Sequence, residues 1–299
     1  MVTVAAAVRD QSGHQRRGQV CVALAAVAWS TAGVLQRQLS LDVPTQVAGR
    51  ALFAAFALLA YVAIVERGRV VQACRSVGVA GMGLAVCLAV ASGAFIAALN
   101  HTTVARVLFI QAISPVLAAV LARALLGERV SRRTAVAMVI ALIGVAVMLG
   151  APGGADALGD GLALLMALAF ALALVITRHR RDVSMAPATC LSQLFLLMAF
   201  LPFASLDAVG GDDLLALGLL GGGQIGLGLV LLTIGARLIP AAQVGLITLL
   251  EVVLGPLWVW LALSERPDSA TLVGGAIVVA AIVYQTRGAP QTQRGTVPL

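Results

Sequence analysis

Ten apolar stretches, each about as long as a bilayer is thick, follow one another along the chain at residues 18–36, 45–65, 77–99, 104–126, 134–151, 160–177, 187–206, 213–232, 239–262 and 270–286. A membrane-spanning helix needs roughly 20 mostly apolar residues, because only a helix or a closed barrel satisfies its own backbone polar groups in lipid. Most connections are too short to hold a soluble domain. The apolar share is 61% and the charged share 11%, against about 45–50% and about 25% for soluble domains. A soluble fold of 299 residues could not hide that much apolar surface. The expectation is an all-α membrane protein with ten transmembrane helices. Residues 1–17 and 287–299 read as polar, irregular cytoplasmic tails.

Charge sets the direction of threading. All 20 basic residues are arginine, and the net charge is +7. With the N-terminus in the cytoplasm and sides alternating, sixteen of the twenty arginines fall on the cytoplasmic side. Only Arg37, Arg106 and Arg266 fall outside, and Arg50 lies within the second span. The outer loops hold most of the acids, among them Asp42, Asp156, Asp160, Asp212, Asp213 and Glu265. Such an asymmetry is what the positive-inside rule produces. It places the chain in an inner (plasma) membrane as a multi-pass protein with both termini cytoplasmic. It also removes nucleic acid as a partner, since no aromatic residues interleave with the arginines to stack bases. The first apolar run lacks a small-residue cleavage pattern and reads as a span, not a cleaved leader.

The chain also contains an internal repeat. Residues 106–129 align without gaps on 243–266 at an offset of 137 positions (107 to 244), matching at Val107/Val244, Ile110/Ile247, Val116/Val253, Leu117/Leu254, Leu126/Leu263, Glu128/Glu265 and Arg129/Arg266. The first span (Ala28-Trp29-Ser30, ending at Arg37) has a weaker echo in the sixth (Ala169-Phe170-Ala171, ending at Arg178). The chain divides into five-helix repeats at 18–151 and 152–286. Five is odd, so the second repeat enters the membrane upside down. Inverted repeats give two packings of similar energy, open to opposite sides, with substrate held near the midplane between them.

These features resemble the ten-helix EamA-type members of the drug/metabolite transporter superfamily. The likeness spans roughly residues 18–286. It is carried by Trp29-Ser30, Arg50, Leu99-Asn100-His101-Thr102, Ser114-Pro115, Leu126-Gly127-Glu128-Arg129, Gly235-Ala236-Arg237, Glu251 and Ser264-Glu265-Arg266. Where the family has Glu-Pro in the ninth span, this chain has Glu251-Val252, with the proline at Pro256. The resemblance implies secondary transport of small metabolites, commonly export of amino acids or drug-like compounds, from a central cavity between the halves.

Several residues are candidates for lining that cavity. Glu251 is the only acid deep in an apolar run. A carboxylate there must face a cavity or a partner, or be protonated, because its charge costs about 2.5 kcal/mol or more at a helix centre. It is either a proton-coupling or substrate-amine site, or a structural hydrogen bond between helices. Arg50 either receives a substrate carboxylate through its planar fork or snorkels and pairs near the outer end of span two. Gln111, Ser114, Gln224, Gln243 and Thr248 are polar groups inside spans, and the repeat aligns Gln111 with Thr248 and Ser114 with Glu251. They serve either substrate or helix–helix contact. Trp29 and Trp258 lie inside spans and either wall a cavity or fill packing; Trp260 reads as an interface anchor. Asn100, closing span three, is a cap or a cavity residue. Glycines crowd spans three and eight, where a close-packed, mobile gate is expected. Pro115 and Pro256 are placed to interrupt spans four and nine, and Pro240 to start span nine. Cys21, Cys74, Cys87 and Cys190 show no metal-site spacing and read as small residues.

The reading is a secondary active transporter that exports small amino-acid-like metabolites or amphipathic drugs by alternating access. Its partners are a small-molecule substrate and the lipid bilayer, and protons are a candidate coupling ion. A passive facilitator or channel is the alternative, and a lipid-modifying membrane enzyme is a remote one, since no acid–base or metal constellation is apparent. No cofactor or metal is expected. No ATP-binding motif occurs, so the energy would come from a gradient or exchange.

Overall fold

The computed structural model describes residues 2–36, 39–65, 67, 70–102, 104–149, 157–263, 267 and 269–287. Among them there is no strand, and nine segments are long and apolar enough to cross a bilayer. The first span makes the tenth and is divided between Val2–Ser30 and Ala32–Gln36. Residues 2–17, expected as an irregular tail, instead continue this helix outward. Ala5-Ala6-Ala7 and the absence of proline favour that extension. Residues 288–299 lie outside the described residues.

Span two is Val43–Val65 and span three Val70–His101, with a non-helical Gly78 (φ 54°, ψ −151°) near its start. Span four is split into Val104–Gln111 and Ser114–Leu126, and span five is Arg132–Leu149. Span six, Ala157–His179, is continuous. Span seven, Ala186–Phe200, ends in short 3-10 turns. Span eight joins Gly211–Gly218, a π-helical stretch Leu219–Gly226, and Leu227–Leu238. Span nine is split into Ala241–Thr248 and Leu250–Leu263, and span ten is Ser269–Thr286.

The offset of 137 reappears in these boundaries. Val104–Gln111 lands on Ala241–Thr248, and Arg132–Leu149 on Ser269–Thr286, end for end. Helix packing obeys the same exchange of halves. Span three packs on six as one does on eight, three on seven as eight on two, and four on six as nine on one. Spans two and seven, four and nine, and five and ten pair with their own equivalents. A twofold relation between inverted halves produces this pattern.

Each end of the bundle is tied by contacts that alternating threading predicts. At the arginine-rich end, buried Arg178 closes span six. Its Nε donates to Glu128 Oε1 at 2.8 Å, and its Nη1 donates to the Arg237 carbonyl at 2.8 Å. Arg237 in turn donates to the Arg181 carbonyl at 2.8 Å. Arg133, starting span five, donates to the Tyr284 carbonyl and lies 4.4 Å over the Tyr284 ring, covering the end of span ten. At the opposite end Arg106 pairs with Asp160, and Ser205 N–H donates to Thr45 Oγ1 at 2.7 Å. Glu265-Arg266, the second copy of the Glu-Arg pair, lies outside the described residues, as does Arg37.

The Glu128–Arg178 pair joins the two halves, and removing one partner strands a buried charge. Glu128→Ala is therefore expected to cost about 3 kcal/mol. Asp182→Asn, which breaks an exposed pair with Arg180 at 3.6 Å, should stay within about 0.5 kcal/mol. Thermal melting in detergent reads the contrast.

Candidate functional site

The interruptions in spans four and nine fall at the same place in the repeat. Span four stops at Gln111 and resumes at Ser114, and span nine stops at Thr248 and resumes at Leu250. The polar pairs Gln111/Ser114 and Thr248/Glu251 thus flank the two breaks. In span four the cause is Pro115. It has no N–H to give the carbonyl of residue 111, four positions back. The Ser114 hydroxyl takes that carbonyl instead, donating to Gln111 O at 2.5 Å. In span nine no proline stands at the equivalent position, yet the break persists. Thr248 Oγ1 donates back to Gly245 O at 2.7 Å, and the Leu249 and Val252 amides make tighter i−3 bonds. Pro256, expected to interrupt this span, sits inside the intact helix Leu250–Leu263. Pro240 caps the start of Ala241–Thr248, as expected.

The broken spans cross close to their breaks. A Cβ on Gly245 would lie 2.9 Å from Pro115 Cα, so one half touches the other backbone to side. Span nine packs against span one as well as span four. Span one has its own break after Ser30, where Ser30 and Thr31 hydroxyls donate back to the Val27 and Ala28 carbonyls, each at 2.7 Å. A helix end leaves carbonyls without intrahelical partners. The Trp29 carbonyl in this last turn accepts from Gln224 Nε2 at 3.1 Å. Gln224 lies in the π-helical stretch of span eight, a distortion that recurs at functional sites.

Tryptophans gather at the same break. Trp258 Nε1 donates to Ser30 Oγ at 2.8 Å. Trp29 meets Phe170 of span six edge-to-face with centroids 6.2 Å apart. A Cβ on Gly228 would lie 2.2 Å from Trp29 Nε1, so only glycine admits this indole. Buried Trp29 Nε1, Gln111 Oε1 and Gln224 Oε1 have no hydrogen-bond partner among the described residues. Buried polar atoms are nearly always satisfied, and exceptions call for a water, a ligand or another state.

Glu251 occupies the first turn after the break in span nine and is half-buried. Gly255 and Trp258, four and seven positions on, share its helix face. That face meets span one, since Trp258 bonds Ser30 and a Cβ on Gly255 would lie 4.0 Å from the Ser30 carbonyl. Among the described residues the Glu251 side chain takes part in no hydrogen bond or ion pair. A carboxylate on an inward face at this depth needs water or a cationic partner when it is charged.

Trp29, Trp258, Gln111, Ser114, Gln224, Thr248 and Glu251 therefore sit at the breaks and the π-helical stretch of spans one, four, eight and nine. Others of the expected set do not. Gln243 lies toward the arginine-rich end, beside Glu128, Arg129 and Thr134, with its Oε1 buried and unpartnered among the described residues. Arg50 is half-buried in the second turn of span two, where its carbonyl would lie 2.4 Å from a Cβ on Gly221; no ion pair is recorded for it among the described residues. Span three runs helically through Asn100 to His101, and the Asn100 side chain lies outside the described residues. Gly221 and Gly226 of span eight pack closely on span two, and Gly228 on Trp29 of span one. Ser30, Thr31 and Phe170 escaped sequence reasoning as site residues. The available signal was a Ser-Thr pair inside an apolar run, whose hydroxyls compete for helix carbonyls.

Ten spans in two related halves, with broken helices meeting at the centre, define a multi-pass membrane transporter. The family comparison agrees: the model of the EamA-like transporter family matches residues 16–150 and again 157–286, one match per half. The chain belongs to this family. A solved crystal structure shares the fold with a TM-score of 0.76 at 20% identity, covering 90% of this chain and 98% of the other. No curated protein matches the sequence significantly.

Proposed function

We propose that this transporter is a secondary active exporter of small amine-bearing, amino-acid-like metabolites or amphipathic drugs, working by alternating access of its two repeats in an inner membrane with both termini cytoplasmic. The observation that carries the proposal is the placement of Glu251. It is half-buried and unpartnered among the described residues, on the face of span nine that meets the break in span one. Trp29, Trp258 and Phe170 supply aromatic surface beside it, suited to the apolar part of a cationic solute. Discontinuous helices at a repeat interface place backbone and side-chain polar groups at the midplane, where carriers hold substrate. Proton and amine would compete for the one carboxylate, which links export to proton entry.

Uphill movement in inverted vesicles tests the reading. An imposed proton gradient should drive an amine-bearing solute above its external concentration, and a protonophore should abolish the excess. Uptake that merely equilibrates would make the protein a facilitator.

A further inference from the structure

A cavity of about 500 Å³ opens at the arginine-rich end between spans one, nine and ten. Its mouth carries Arg16, Gln19 and Arg287, and its floor is formed by Ala23, Leu250 and Ile282. Arg16 and Arg287 are exposed, and among the described residues neither guanidinium is recorded in an ion pair. No acid lines the cavity. Arg16 precedes the apolar run of span one and Arg287 follows the last residue of span ten, so the mouth lies at the water interface. Ala23 and Ile282 lie one to two turns deeper, at the level of acyl chains.

We propose that this cleft binds an anionic phospholipid, its phosphate held by Arg16 and Arg287 and an acyl chain laid over Ala23, Leu250 and Ile282. Two observations point the same way. Paired cations with no counter-charge match a phosphate, and guanidinium forks bind phosphate in two-pronged fashion. The apolar floor continues the mouth into the membrane, which suits an amphiphile and not a free anion. Basic pockets between spans at this level are where headgroups of such lipids are recognised. The occupant would lie beside Ile247 and Leu250, which bracket the break in span nine. The site therefore couples the surrounding lipid to the half-span that carries Glu251.

Native mass spectrometry of the purified full chain, released from detergent with phosphatidylglycerol or phosphatidylcholine, tests the proposal without any transport assay. Phosphatidylglycerol should stay bound where phosphatidylcholine is lost. The double variant Arg16→Gln, Arg287→Gln should weaken phosphatidylglycerol retention roughly thirtyfold, at about fivefold for each arginine near an anionic headgroup. Arg123→Gln with Arg132→Gln removes the same charge from exposed positions outside the cleft and should change retention little. Ala23→Phe, which keeps both arginines and fills the floor, should also lower retention. Equal retention of both lipids, an equal loss in the Arg123/Arg132 variant, full retention by Ala23→Phe, or displacement by inorganic phosphate alone would each overturn the assignment.

Discussion

Gly274→Val is expected to destabilise the folded protein severely. Spans five and ten meet at two glycines: a Cβ on Gly274 would lie 2.4 Å from the Gly144 carbonyl and 2.5 Å from the Met148 amide, and one on Gly144 would lie 2.8 Å from the Gly274 carbonyl. These are backbone atoms, so no rotamer change relieves the clash. In lipid the hydrophobic effect does not hold helices together, and close backbone approach through small residues carries much of the association. Separating the pair would also lift span ten from span nine, where a Cβ on Gly275 would lie 3.1 Å from Val253. The cost should reach about 3 kcal/mol or more, the upper range of overpacking. Gly161, with nothing within 4 Å of an added Cβ, supplies the contrast: Gly161→Ala should melt like the unaltered protein or slightly higher. Size-exclusion profiles and melting in detergent read both. A monodisperse Gly274→Val protein with unchanged melting would mean the two spans are not packed this way.

The span count and the two halves were legible because lipid imposes a composition on whole segments. A run of twenty apolar residues, and arginines massed on alternate connections, survive without any knowledge of packing. The repeat was legible for a related reason: residues such as Val107/Val244 and Ile110/Ile247 serve equivalent positions in one scaffold. The breaks were harder. Pro115 announced its own, but Val252 stands at the equivalent position and the helix still stops at Thr248. There the interruption is made by a threonine hydroxyl and i−3 amide bonds, which leave almost no mark in hydropathy. The same holds for Ser30-Thr31. Pro256 misled in the opposite sense, since its lost hydrogen bond is absorbed within a continuous helix. Gln243 was grouped with the midplane residues by polarity alone, whereas its depth follows from its place in the first turn of Ala241–Thr248, well before the break. The helical start of the chain was missed because the polar residues of 1–17 suggested a tail, although its alanines, glutamines and arginines favour a helix.

The proposed function rests above all on Glu251 as the carboxylate where substrate and proton compete. Its neighbours make this a strong test, because no other acid or base is recorded in contact with it among the described residues. The polar groups brought to the same breaks, Ser30, Gln111, Ser114, Gln224 and Thr248, do not titrate in the physiological range. The conserved geometry of Glu251→Gln keeps the side-chain volume and imitates the protonated form. Losing a charge-assisted bond to an amine costs about 1.5–3 kcal/mol, so transport should fall by at least about tenfold. The sign of the pH effect is fixed by the competition. Binding of an amine-bearing solute to the unaltered protein should weaken as pH falls, as protons fill the carboxylate, and strengthen as pH rises until ionisation is complete. With glutamine there is nothing to titrate, and the dependence should vanish. Measuring solute binding and transport in proteoliposomes from acid to neutral pH, for the unaltered protein and Glu251→Gln side by side, decides it. A pH-dependent curve is expected for the first and a weak, flat one for the second. Identical curves would contradict it.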